Sequence, residues 1–248
     1  MATGVVRPVS RRAERMFFAG MGLVVLATVF VGFARTYYLA GVFHAPLPNL
    51  LIHVHGALFS TWIVLLIVQT SLVAAGRVDV HRRLGLAGFG VACLMVLLGV
   101  LAASDALARG IAPGGHGATA ARAFYAVPLT DILAFGTLIY FAFRERSHPA
   151  AHKRLVLIAT IALLDAAFAR WPVHAAWWNL RAAELCSYLL LLAIMGYDLW
   201  SREKIQPTTL WGSTLIIVLH LVRMPLGHTA LWQSFAGWVQ GIAMWLRA

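Results

Sequence analysis

His53-Val54-His55-Gly56 places two imidazoles beside a glycine at the start of an otherwise apolar stretch, Leu50 to about Ala75. Imidazole exchanges protons near neutral pH and binds iron, copper and zinc. On a helix these two side chains lie about 200° apart, so they do not converge on one ion. One of them, His53 or His55, is expected to face a site inside the molecule, and the other an interface or a hydrogen bond. Other groups of the same kind interrupt other apolar stretches: Asp131, Asp165, Arg170, Glu184, His220 and Arg223.

Counted at about 1.5 Å per residue from the middle of each stretch, Asp131, Asp165 and His220 fall near mid-depth. His53, His55, Glu184, Arg170 and Arg223 form a second layer nearer one end. The opposite half is expected to hold nothing comparable. A charge within the hydrocarbon costs roughly 2.5–3.5 kcal/mol on insertion scales, so each such group is a candidate for function. Three chemistries suit the set. In the first, haem b or a transition metal ion is held by His220 with His55, or with His53 in its place, while Arg170 and Arg223 pair haem propionates. A metal ion would take His55, His220, Asp131, Asp165 and Glu184. In the second, Asp131, Asp165 and His220 relay protons in a proton-coupled transporter of a small solute. In the third, the cluster is the ligand pocket of a seven-span sensor. The competing structural account is mutual neutralisation of acids and arginines that fixes helix packing. No apolar stretch carries the two-histidine pattern of a dihaem bundle, which leaves room for one haem at most. HExxH, GxSxG and P-loop signatures are absent from the sequence.

The elements that must position these residues are membrane helices. The chain is 61% hydrophobic and 12% charged, with mean hydropathy +0.80, against about 25% charge in a soluble domain. Seven spans are expected, at about 16–34, 50–75, 85–107, 123–143, 154–172, 181–200 and 208–225, in one all-α transmembrane domain covering 1–248. A short Trp-rich helix at about 231–246 is expected to lie at the membrane interface. Lys and Arg concentrate in the N-terminal segment and in alternate turns, among them Arg77, Arg82, Arg83, Arg144, Arg146, Lys153 and Arg154. The positive-inside rule then places the N-terminus in the cytoplasm and the C-terminus outside, in a bacterial inner membrane. The net charge of +11 follows from that bias and does not indicate a nucleic-acid partner; the lipid bilayer is the expected partner. The basic start, Arg7 to Arg15, reads as the flank of an uncleaved first span. Cys93 and Cys186 stand alone, without a CxxC pair.

Local signals refine this picture. Pro128 should kink the fourth span beside Asp131. Arg170 and His174 lie one turn apart at the end of the fifth. His148 and His152 are four residues apart, a chelating spacing, but Pro149 between them suits a first helical turn. Val80-His81-Arg82-Arg83-Leu84 and Ala151-His152-Lys153-Arg154-Leu155 form a weak internal repeat. The His-x-His-Gly start and the turn from Gly76 to Gly85, Gly-Arg-x-x-x-His-Arg-Arg-Leu-Gly, resemble those of a broad group of uncharacterised bacterial multi-span proteins. The turn His148-Pro149-x-x-His152-Lys153-Arg154 is similar to one in small membrane proteins that include a cytochrome oxidase assembly factor. The likeness covers roughly residues 50–170. It implies a respiratory membrane, respiratory-chain partners and haem or metal handling, and it leaves His220 and Glu184 outside its reach.

Overall fold

The structure, a computed structural model, describes residues 10–46, 48–113, 115–173, 175 and 178–247. His174 lies outside the described residues. All regular structure among them is helical: α1 (Arg11–Phe33), continued by a π turn (Ala34–Tyr38), α2 (Leu50–Ala74), α3 (Val78–Ala108), α4 (Gly117–Phe124), α5 (Ala126–Arg144), α6 (Pro149–Ile161), α7 (Asp165–Phe168), α8 (Leu180–Arg202), α9 (Pro207–Gly227) and α10 (Ala230–Trp245). Six helical stretches are long and apolar enough to cross a membrane: Arg12–Tyr38, Leu50–Ala74, Val78–Ala108, Gly117–Arg144, Leu180–Arg202 and Pro207–Gly227. The remaining expected span, 154–172, is divided between α6 and α7.

Helix boundaries follow local chemistry. Ser10, Asn49 and Thr229 cap α1, α2 and α10 by accepting amide hydrogens of the first turn, and Asn179 does so for α8. Pro149 and Pro207 occupy the first turns of α6 and α9, where a missing N–H costs nothing. Gly76 takes φ +75° after α2, while Arg77 N donates to Leu72 O at 2.9 Å and Gly76 N to Val73 O at 3.2 Å. This glycine-ended cap turns the chain directly into α3. The break between α4 and α5 falls at Tyr125, three residues before Pro128. Proline cannot donate to the carbonyl one turn back, which interrupts the helical hydrogen bonding there.

The basic turns gather at one end of the bundle. Arg15 Nη1 donates to Ala74 O at 3.0 Å, Lys153 pairs with Glu14, and Phe17 stacks on Tyr197 at 4.1 Å. The start of α1, the end of α2, the start of α6 and the end of α8 thereby share a level. At the other end Asp105 joins three elements: Asn49 Nδ2 donates to it at 3.4 Å, and Arg109 and Arg247 pair with it at 2.9 and 3.7 Å. There α10 lies against α3 and α4. Ala236 is buried, Gln240 bridges Arg122 Nε (2.9 Å) and Leu107 O (3.0 Å), and Leu231, Phe235, Trp238, Ile242 and Trp245 form an exposed apolar stripe.

Within the bundle the buried faces of α8 and α9 repeat every three or four residues. On α8 these are Glu184, Ser187, Leu191, Ile194 and Asp198; on α9 they are Thr209, Gly212, Ile216, His220, Arg223 and Gly227. A bilayer offers no hydrophobic drive between helices, so close backbone contact and hydrogen bonds must hold them. Two glycines allow such contact. A Cβ on Gly32 would sit 2.3 Å from Ala167 O, and one on Gly227 would sit 2.5 Å from Ala123 O.

The Gly32 contact presses α1 against the four-residue α7, which begins with Asp165. Gly32→Val must therefore move backbone rather than a side-chain tip. We expect a loss of about 1–3 kcal/mol from overpacking, visible as a lower thermal midpoint of the detergent-purified protein. Gly20→Val, where a Cβ meets nothing within 4 Å, should leave the midpoint close to wild type.

Candidate functional site

Arg223 is fully buried in α9, and three carboxylates from three other helices converge on it. Nη1 donates to Asp131 Oδ1 of α5 at 2.8 Å. Nη2 donates to Asp165 Oδ2 of α7 at 2.8 Å and to Glu184 Oε1 of α8 at 2.6 Å. One turn earlier on α9, His220 Nε2 lies 3.7 Å from Asp131 Oδ1 and 3.6 Å from Asp165 Oδ2, while Nδ1 lies 3.2 Å from the Tyr188 hydroxyl. Ser187 Oγ donates to the free oxygen of Asp165 at 2.5 Å. Glu184 extends the cluster outward, because its second oxygen accepts from Arg181 Nη1 at 3.0 Å and the Arg181 side chain is 57% exposed.

The backbone around Asp165 is built for this. After α6 the chain tightens into three-residue turns, with Leu163 N donating to Thr160 O and Leu164 N to Ile161 O. No proline or glycine causes the break. It turns Asp165 so that Ser187 holds one oxygen and Arg223 the other. Interrupted helices inside a bundle are tolerated where the freed backbone faces protein or a binding site.

At formal charges three carboxylates face two guanidiniums, Arg223 and Arg181. With His220 neutral the cluster is one positive charge short, deep in a helix bundle. Arg223 Nε, also buried, has no partner among the described residues. One ligand atom each from Asp131, Asp165 and His220 lies within 4.8 Å of the others, so these three could share one small cation.

The remaining candidates fall elsewhere. His53 is exposed and meets the π turn at the end of α1. Tyr37 Oη donates to His53 O at 3.0 Å and lies 3.3 Å from His53 Nδ1. Gly56 makes room for that ring, since a Cβ there would lie 2.9 Å from it. His55 is half-buried on Phe59, with ring centroids 4.1 Å apart, and its Nδ1 has no partner among the described residues. Arg170 lies over the Phe33 ring and donates to Ala166 O at 2.6 Å. Of the five side chains considered for haem, the structure unites His220 and Arg223 and leaves His53, His55 and Arg170 around α1 and α2. His148 stands at the N-cap position of α6 without a capping side-chain hydrogen bond and pairs with Glu145 at 2.9 Å, while His152 lies 2.8 Å from Ala142 O. The histidines of the two repeated turns, His81 and His152, meet edge to face with centroids 6.4 Å apart.

The half of the bundle expected to be free of buried charge contains a second polar layer. Arg154 and Asp198 are both fully buried and paired. Asp198 Oδ2 also accepts from Thr209 Oγ1 at 2.6 Å and from Gln206 N at 3.1 Å. Every oxygen there is used and the charges cancel. Arg154 looked like part of a basic turn and Asp198 like a span end, so depth alone did not single them out. Ser187 could have been found by its place one turn from Glu184 on the face that carries Leu191.

Comparison of the chain with protein-family models, with curated proteins and with solved structures finds no match. The reading of the site therefore rests on its geometry.

That geometry makes Arg223 the counter-charge for the whole cluster. Arg223→Met should cost about 3–5 kcal/mol, the usual penalty of stranding buried partners, measured as a fall in thermal midpoint in detergent. Adding Asp165→Asn and Glu184→Gln to that variant should recover part of the loss, because the stranded carboxylates cause most of it.

Proposed function

We propose that the chain is a proton-coupled carrier of a small solute, with Asp131, Asp165 and His220 as its proton-binding centre. The observation that carries this reading is the missing positive charge: three buried carboxylates share Arg223 and Arg181, and one proton makes the cluster neutral. His220 is placed to hold it, with Nε2 facing both aspartates and Nδ1 facing Tyr188. An imidazolium there donates toward Asp131 and Asp165 and competes with Arg223 for the same oxygens. Loss of the proton leaves those oxygens to Arg223 alone. The load on α7 thus changes with protonation, next to the tightened turns at 162–164 that join it to α6. Intramembrane acid–histidine sets and broken helices are recurring parts of proton-coupled carriers. Glu184 and half-exposed Arg181 give the centre its route to water.

For the membrane we propose seven crossings, with the α4–α5 pair as the fourth and the α6–α7 pair as the fifth. The basic end faces the cytoplasm, the membrane is a bacterial inner membrane, and α10 lies in the outer interface with its Leu231–Trp245 stripe toward lipid.

A second reading is favoured by one observation. The separations of 3.6 and 3.7 Å from His220 Nε2 to the two carboxylate oxygens approach the roughly 3.3 Å between ligands of a tetrahedral zinc-like ion. In that reading Asp131, Asp165 and His220 hold a divalent metal ion. The proton reading leads because a divalent ion would reverse the charge of the cluster beside Arg223.

Proteoliposomes with an internal pH-sensitive dye and an imposed potential test the proposal. Wild type should acidify the lumen, and Asp131→Asn, Asp165→Asn and His220→Gln should each slow the signal by about a hundredfold or more, the scale of removing one proton-transfer group. Unchanged uptake in both aspartate variants would sink the carrier reading. A stoichiometric metal, or a haem Soret band, in protein purified from membranes would put that group in place of the proton.

A further inference from the structure

Away from the charged cluster, α1 and α8 flank an open surface groove of about 400 Å³ at the basic end, lined by Ala13, Met16, Phe17, Ala193, Gly196, Tyr197 and Trp200. That volume lies within the range of small-molecule sites, about 300–1,000 Å³. Its lining is apolar except for the Tyr197 hydroxyl. Small residues, Ala13, Ala193 and Gly196, leave the space, and aromatic rings wall it. Phe17 stacks on Tyr197 at 4.1 Å, and Phe18 meets the same ring edge-on at 5.8 Å. The groove therefore ends at a rigid aromatic contact between the two helices. Met16 and Trp200 remain 64% and 67% exposed, so its open side faces the surroundings of the bundle. In a membrane those surroundings are acyl chains.

The rim supplies the second half of a lipid-recognition surface. The helices run in opposite directions, so residues before Ala13 on α1 and after Trp200 on α8 lie at the same level. Arg12 precedes Met16 by one turn, and Arg202 and Lys204 follow Trp200. All three are exposed and lack a hydrogen-bond or ion-pair partner among the described residues. Two acids lie nearby. Glu14 is taken by Lys153. Glu203 stands between Arg202 and Lys204 in a left-handed conformation, φ 57°, and reduces the rim to a net excess of two positive charges. An apolar slot under an unpaired basic rim matches a phospholipid with an anionic headgroup, whose negative charge is attracted to Lys and Arg at the membrane surface.

We infer that the α1–α8 groove is a site for one anionic phospholipid, with an acyl chain between Ala13 and Gly196 and its phosphate at Arg12, Arg202 and Lys204. This site is separate from the proton-binding centre and stands or falls independently of it. It also accounts for how α1 and α8 stay together, since their contact rests on Phe17, Phe18 and Tyr197 and the lipid would fill the space beside it.

Native mass spectrometry of the full chain, released from nanodiscs of equal phosphatidylglycerol and phosphatidylcholine, tests this. Wild type should retain one phosphatidylglycerol, at least fivefold in excess over phosphatidylcholine. Gly196→Trp should abolish the retained adduct; a Cβ at Gly196 meets nothing within 4 Å, so this variant fills the groove without forcing backbone apart. Arg12→Ala with Lys204→Ala should lose the preference for phosphatidylglycerol while keeping wild-type thermal stability in detergent. Equal retention of both lipids by wild type, or an unchanged adduct in Gly196→Trp, would overturn the assignment and mark the groove as ordinary lipid contact. Gly241→Trp, at another open glycine, controls for bulk.

Discussion

A guanidinium without access to water dictates the arrangement of half this bundle. Arg223 is fully buried on α9, where an unpaired charge would be costly enough to unfold or reorganise the molecule. Its terminal nitrogens are met from α5, α7 and α8, so those helices cannot rotate or slide without stranding it. The break before Asp165 follows from that demand, since a carboxylate must reach Arg223 and Ser187 at once. The close approaches at Gly32 and Gly227 belong to the same geometry. One seats α7 against α1, and the other seats the end of α9 against α4, one turn beyond Arg223. Backbone contacts this close are rigid, which keeps the hydrogen-bond lengths of the cluster short.

Two buried ionic layers differ in a way that separates scaffold from site. Asp198 follows Glu184 by about four turns of α8, roughly 21 Å along the axis. In its layer one arginine meets one carboxylate, a hydroxyl and an amide complete the oxygens, and the charges cancel. Such a pair fastens α6, α8 and α9 and has no vacancy for anything further. The Arg223 layer has more carboxylates than cations, an imidazole facing two of them, and an unpartnered Nε. Between the layers Leu191, Ile194, Ile216 and Ile158 are fully buried, an apolar belt that keeps the two electrically apart. Neutral and saturated at one level, deficient at the other, the bundle concentrates its unbalanced buried charge at the level of His220.

Depth within an apolar run was enough to find Asp131, Asp165, Glu184, His220 and Arg223, because in a bilayer the cost of charge makes position itself informative. The approximate limits of six helices long and apolar enough to cross a membrane were legible for the same reason, and the interruption before Pro128 followed from a missing amide. What could not be read lay where one signal has two causes. Arg154 sits among residues that basic turns recruit for topology, and Asp198 sits near the end of its helix, so their burial depends on how α6 and α8 tilt. The break at 162–164 has no proline or glycine to announce it; it is imposed by partners on other helices. The helix α3 begins at Val78, seven residues before the expected span, since helical hydrogen bonding runs on past the apolar segment. The partner of His53 was invisible because it arises from a π turn in α1.

That π turn ties the His-x-His-Gly segment to the charged cluster by mechanics. The extra residue per turn aims Tyr37 at His53 and Gly56, and Tyr38 at Ser60, 2.7 Å from its hydroxyl. Both bonds fix the last turns of α1 along α2. Two residues before the π turn begins, Gly32 rests on the carbonyl of Ala167, and Asp165 lies two residues before Ala167. Tyr37 and Asp165 are thus joined by the end of α1 and one backbone contact. His53 accepts from Tyr37 through its carbonyl at the start of that path, while His55 Nδ1 has no partner among the described residues. The motif that first suggests chemistry thus stands apart from the charged cluster and is joined to it through α1 and the Gly32–Ala167 contact.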